Sequence, residues 1–138
     1  QRARVGVYRQ SEVNRGPPAT YLVKYFERSG EEWRVKDRVR EMVHFSHMNL
    51  IEPWPNHPRP DVIFLRNVLL YLCSEARRTI LQSVARTLRP DGYLFLGGGE
   101  TMLALDRTFE AVRIGKAVCY RVRDEHRNGA RETESTVR

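Results

Sequence analysis

Arg66 and Asn67 stand inside the run DVIFLRNVLLYL (61–72), where Val62 to Leu65 and Val68 to Leu70 are all apolar. Burying a guanidinium and a carboxamide there costs roughly 2–7 kcal/mol for each polar group left unpaired. Tyr71 follows in the same run. Two other stretches share this character: Asn49-Leu50 follows VHFSHM, and Gly97-Gly98-Gly99 follows YLFL. Hydrogen-bonding groups, an apolar wall and glycines that admit a ligand to the backbone make the layout of a binding site. A structural reading stands beside it. In that reading Arg66 pairs with a core carboxylate, Asn67 caps the next turn, and the glycines form a plain loop.

Other chemistries find little support. The histidines (His44, His47, His57, His126) do not pair with cysteines or carboxylates at ligand spacing, so no metal is expected. Cys73 and Cys119 lie far apart in apolar surroundings and are expected to be buried free thiols in a reducing compartment. No His-Asp or Cys-His pair is visible in the sequence.

The elements that position these residues follow from the apolar pattern. QRARVGVYRQSEV reads as the end of a helix and its loop, and Pro17-Pro18 precedes ATYLVKYFER (19–28). There Tyr21, Leu22, Tyr25 and Phe26 recur at helical spacing, with Ser29-Gly30 ending the helix. WRVK (33–36) alternates as a short strand, and Asp37 to Met42 suit one helical turn. VHFSHMNLI (43–51) is expected as a strand running into the proline-rich loop EPWPNHPRP (52–60). Asp61 to Leu65 reads as a strand covered on both faces, as in a parallel sheet. The turn through Arg66-Asn67 leads to a helix starting near Val68; Ser74 can cap a helix whose inner stripe is Ile80, Leu81, Val84 and Leu88. Arg89-Pro90-Asp91-Gly92 is a turn, YLFLGGG (93–99) the next strand, and Glu100 to Leu105 a short helix. FEAVRIGKAVCYRV (109–122) is a hairpin about Gly115-Lys116, and 123–138 is expected to be a disordered tail. Strands alternating with helices predict an α/β fold with an antiparallel hairpin at one edge.

Composition bounds the partners. A chain of 138 residues with 30% charged residues suits one globular domain without a membrane span. The net charge of +7, carried by 21 arginines against 3 lysines, favours anionic partners. Nucleic-acid motifs are lacking, so a basic nucleic-acid binder ranks last.

The combination FSHMNLIEPW, PRPDVIFLRNVLLYL, LRPDGYLFLGGGE and KAVCYR, with GVYRQSEV and KYF upstream, resembles the CheR family. These are S-adenosylmethionine-dependent methyltransferases that esterify glutamates on bacterial chemotaxis receptors. The resemblance covers about residues 1–122 and implies a partial Rossmann-like class I methyltransferase sheet with a C-terminal antiparallel hairpin, lacking its first two strands. It implies S-adenosyl-L-methionine as cofactor, with Asn49 and Leu50 bordering the adenine and Arg66 and Asn67 near the reacting methyl. Tyr71 matches a tyrosine lining the catalytic pocket, so Arg66 and Tyr71 are the catalytic candidates. Residues 27–43 fall where the family inserts a small β-subdomain. The implied partner is the cytoplasmic region of a methyl-accepting receptor, met in the cytoplasm, with no membrane insertion.

The sequence also departs from the pattern. The glycine-rich G-x-S-x-G-E motif and the acidic end of a second strand have no match, so the chain is expected to be a fragment that alone binds the cofactor weakly. Loss of two central strands is expected to leave bare strand edges, leading to a rearranged sheet or to self-association. Gly98-Gly99 replace the family's His-Ser, which keeps open an alternative: a non-catalytic methyltransferase-like signalling module. The loop around Ser29-Gly30 is shorter than in peptide-binding members.

Overall fold

The computed structural model describes residues 1–56, 58–100 and 107–123. The chain divides into two units, Gln1–His47 and Met48–Arg138.

In the first unit, helix α1 (Arg2–Val5) ends at Gly6 and leads into strand β1 (Val7–Arg9) and helix α2 (Gln10–Val13). Helix α3 (Ala19–Tyr25), strands β2 (Phe26–Ser29) and β3 (Glu32–Val35), and helix α4 (Asp37–Arg40) follow. The strands form an antiparallel sheet in the order β1-β3-β2. Gln10 ties α2 to the hairpin, its Oε1 accepting from Trp33 Nε1 at 2.8 Å and Arg28 Nη1 at 2.9 Å.

Two expectations change here. The helix expected through 28 stops at Tyr25, because Phe26 pairs with Val35 and Arg28 with Trp33 across the hairpin. The helical spacing that included Phe26 had run through a helix–strand junction. The small sheet also draws a strand, Val7–Arg9, from before the 27–43 segment.

In the second unit, strand β4 (Val62–Leu65) is followed by a 3-10 turn (Leu69–Tyr71), helix α5 (Ser74–Thr87) and strand β5 (Tyr93–Leu96). Strands β6 (Phe109–Ile114) and β7 (Ala117–Val122) form the closing hairpin. The sheet order is β4-β5-β7-β6; β4 and β5 are parallel, with Leu65 opposite Leu96, and the other pairs are antiparallel. The α/β architecture with a C-terminal hairpin is as expected.

Each joint has a local cause. Arg89 to Gly92 turn back through Gly92 N donating to Arg89 O at 2.9 Å, and Tyr93 N donates to Asp61 O, which sets the β4–β5 register. The hairpin closes on Gly115 at φ 60°, the positive value that a two-residue turn takes at its first loop position. Helix α5 buries Ile80, Leu81 and Val84, and with Leu88 they pack against Leu65, Leu94 and Leu96 and, from the hairpin, Phe109, Tyr120 and Val122. Full burial of such a side chain contributes about 1.5–3 kcal/mol.

Several expected features are not observed. Residues 43–49 form no strand, and Val43, Phe45 and Met48 are exposed. A strand needs a ladder partner, and this stretch has none among the described residues. Strand β4 is not covered on both faces: Ile63 and Leu65 turn toward the core while Phe64 is 71% exposed, stacked on Phe95 at 5.1 Å between ring centroids. In place of a helix from Val68 there is one 3-10 turn, after which Leu72 is extended and α5 begins at Ser74. The N-cap of α5 is Cys73, without a side-chain cap, so Ser74 does not cap it. Cys119 is buried as expected, but Cys73 is exposed; both are free thiols. The helix expected at 101–105 and most of the 123–138 tail lie outside the described residues.

Candidate functional site

The site lies in the second unit, beyond the carboxyl ends of the parallel strands β4 and β5, where ligands of open α/β sheets bind. Arg66 and Asn67 follow β4 directly, and Gly97 follows β5. Asn67 has φ 58°, the one non-glycine residue at positive φ among those described. Such a backbone is uncommon and must be held by its surroundings.

What holds it is Glu100, which is 0% exposed. Its Oε2 accepts from Asn67 N at 2.8 Å and Gly97 N at 2.6 Å, and its Oε1 accepts from Val68 N and Leu69 N, both at 2.8 Å. Burial pushes the Glu100 carboxyl up, but the four amide donors outweigh it and hold the pKa below the ordinary carboxylate value. Gly97 makes this convergence feasible: a Cβ there would collide with Asn67 Oδ1 and lie 2.7 Å from Glu100 Oε2. A Cβ at Gly98, by contrast, would meet no described residue within 4 Å.

The expected site residues fall as follows. Arg66 is exposed, and among the described residues its side chain makes no ion pair. The core carboxylate imagined as its partner exists in Glu100, but that carboxylate takes backbone amides instead. Tyr71, at the end of the 3-10 turn, is 84% exposed. Arg77 Nε donates to Leu69 O at 2.8 Å and ties the same turn to α5. Leu50 and Trp54 pack against the core cluster, as does Val68, and Trp54 Nε1 donates to Leu50 O at 2.9 Å. Asn49 turns to its own loop, its Nδ2 donating to Glu52 Oε1 at 2.8 Å and its Oδ1 accepting from Ile51 N.

Sequence reasoning passed over Glu100. The signal available was a carboxylate directly after a glycine run at the end of a buried strand. Among the described residues, no group of three or more His, Cys, Asp or Glu could hold a metal ion, and no helix is long and apolar enough to cross a membrane. An exposed guanidinium, a carboxamide, a phenol and a glycine turn at one strand end suit a polar ligand with an amino-acid part and an apolar part.

Comparison with known proteins points to one family. The profile described as "CheR methyltransferase, SAM binding domain" matches residues 1–118. The chain is 34% identical over 122 residues to chemotaxis protein methyltransferase 1 of Pseudomonas aeruginosa, covering 88% of this chain and 44% of the relative. It is 35% identical over 121 residues to chemotaxis protein methyltransferase of Vibrio parahaemolyticus, covering 87% and 44%. With the chemotaxis protein methyltransferase of Salmonella typhimurium it shares 38% over 114 residues, covering 79% and 39%. The chain thus spans less than half the length of these relatives.

Proposed function

The chain belongs to the CheR methyltransferase family, with S-adenosylmethionine as its cofactor, and from that membership we propose that it supplies part of the active site of a chemotaxis-receptor glutamate O-methyltransferase acting in the cytoplasm. The observation that carries this reading is the junction at the end of β4. There Arg66 and Tyr71 stand exposed around a backbone clamped by Glu100, beside a glycine turn.

S-adenosylmethionine, when bound, supplies a methyl group on a positively charged sulfur. Arg66 and Asn67 would hold it near the reacting methyl, and Asn49 and Leu50 would border its adenine. Arg66 and Tyr71 would orient the receptor glutamate, which is ionised at neutral pH with an ordinary pKa of about 4.3. Held there as an anion, that carboxylate would need no base to accept the methyl group. No proton has to move, so alignment and exclusion of water carry the rate. The exposed arginines of the first unit suit an acidic receptor surface.

Arg66→Ala in the complete natural polypeptide containing these residues is expected to lower kcat/KM about 100-fold, and Tyr71→Phe about tenfold. The assay is transfer of labelled methyl to a receptor cytoplasmic region, counted as methanol released by alkali, which identifies a carboxyl ester. Alkali-stable label, or full activity in Arg66→Ala, would sink the reading. Gly98-Gly99 in place of the family's His-Ser favours one other reading, a module that binds a signalling partner without transferring a methyl. Absence of any transfer by the complete polypeptide, with cofactor still bound, would favour it.

Two expectations concern residues 1–138 as a separate polypeptide. It is expected to bind S-adenosylmethionine weakly, because the sequence contains no G-x-S-x-G-E loop; micromolar affinity by calorimetry would contradict this. It is also expected to self-associate through the edge of β4, where Phe64 is exposed. Phe64→Lys should shift sedimentation toward monomer, and an unchanged profile would rule that edge out.

A further inference from the structure

We propose that Glu100 is a positioning residue for the methyl-donor site: its carboxylate fills a nest of backbone amides and so fixes the direction in which Arg66 and Asn67 face. The inference rests on the placement of the donor at Arg66-Asn67 argued above.

Asn67 is left-handed at φ 58°, and Val68 is right-handed at φ −107° and ψ −47°. Successive residues of opposite hand turn their N–H groups to one side and form an anion-binding concavity. The amides of Asn67, Val68 and Leu69 all converge in this way, and the anion they hold is the protein's own Glu100 carboxylate. The fourth amide, Gly97 N, comes from the end of the neighbouring strand, so one carboxylate joins the two strand ends that border the crevice.

The clasp has a directional consequence. Arg66 lies immediately before the nest and Tyr71 two residues beyond it, both exposed. A left-handed Asn67 reverses the backbone between β4 and the 3-10 turn. If the carboxylate let go, Asn67 would relax to negative φ, and the side chains on either side of it would swing to new positions. A strand-to-helix turn needs no buried charge for its own sake. Here every hydrogen-bond partner of that charge is a backbone amide, three of them in the segment that presents the proposed ligand-binding groups.

The test uses the complete natural polypeptide, with S-adenosylmethionine as the titrant. Glu100→Gln keeps the shape but places an NH2 donor against amide donors. It is expected to raise the Kd about tenfold and to lower kcat at saturation as well, because Arg66 and Tyr71 move with Asn67. Glu100→Asp, which keeps the charge on a shorter arm, should fall between it and the natural protein. In the ligand-free protein, amide exchange in Glu100→Gln should quicken at residues 67–69 by at least about tenfold more than at the α5 amides. A folded Glu100→Gln protein with Kd within about twofold of the natural one overturns the proposal. Should Glu100→Gln not fold, Glu100→Asp decides: a Kd raised about threefold supports the positioning role, and an unchanged Kd refutes it. If Arg66→Ala leaves both Kd and kcat unchanged, the site placement falls and this inference with it. If Arg66→Ala is impaired while Glu100→Gln binds normally, only the role of Glu100 falls.

Discussion

Gly97→Ala is expected to lower the stability of the second unit by about 3 kcal/mol, while Gly98→Ala, one residue on, changes it by less than about 0.5 kcal/mol. The backbone at Gly97 is not in the left-handed region, so the cost is steric. The added Cβ lands on Asn67 Oδ1 and crowds Glu100 Oε2, with Asn67 N at 3.0 Å behind them. Neither neighbour can yield cheaply. Asn67 is fixed by its own amide bond to Glu100, and the carboxylate is fixed by four donors. At Gly98 the same methyl group meets no described residue within 4 Å. Urea unfolding followed by Trp54 fluorescence in a Trp33→Phe background reads the second unit alone, since the chain has only these two tryptophans. Equal midpoints for the two alanine variants would refute the crowding at Gly97.

Glu100→Gln is expected to cost about 3 kcal/mol at pH 7, and that deficit should shrink in acid. Glutamine can still accept from two amides, but its NH2 faces the other two donors and leaves them unpaired. Unpaired buried donors cost about 1–3 kcal/mol each. Burial raises the Glu100 pKa, four amide hydrogen bonds lower it, and the net direction is down. The unfolded chain has the ordinary value of about 4.3. The carboxylate therefore contributes its full stability above that pH and loses it as the pH falls through the lower folded value. The natural protein should lose stability below about pH 4 more steeply than the glutamine variant, so that the gap between the two curves narrows. Parallel curves from pH 7 to pH 3 would show that the carboxylate is not held as an anion.

Much of the second unit was legible in the sequence because its signals are local. Apolar runs marked β4 and β5, the stripe of Ile80, Leu81, Val84 and Leu88 marked α5, and Gly115-Lys116 marked the hairpin. The misreadings share a cause, which is that a pattern does not reveal its partner. VHFSHM alternates as a strand should, yet no strand lies beside it among the described residues. The run VIFL suggested cover on both faces, but Phe64 is exposed. Helical spacing carried past Tyr25 because the pull of the β2–β3 hairpin on Phe26 comes from Val35. Arg66 and Asn67 could be placed at a strand end from sequence, whereas the group that fixes their backbone could not. Glu100 bonds to main-chain amides about thirty positions upstream, and main-chain donors leave no trace in residue type.

That separation along the chain bears on how the molecule assembles. Glu100 reaches Asn67, Val68 and Leu69 across 31 to 33 positions, and the stretch between them contains all of α5 and β5. The helix can form from neighbouring residues, but the carboxylate finds its amides only once β5 lies alongside β4. Closing so long a loop is paid in chain entropy before any bond forms. The clasp therefore forms only after the two strands pair, and the turns beyond β4 and β5 set after the strands that carry them.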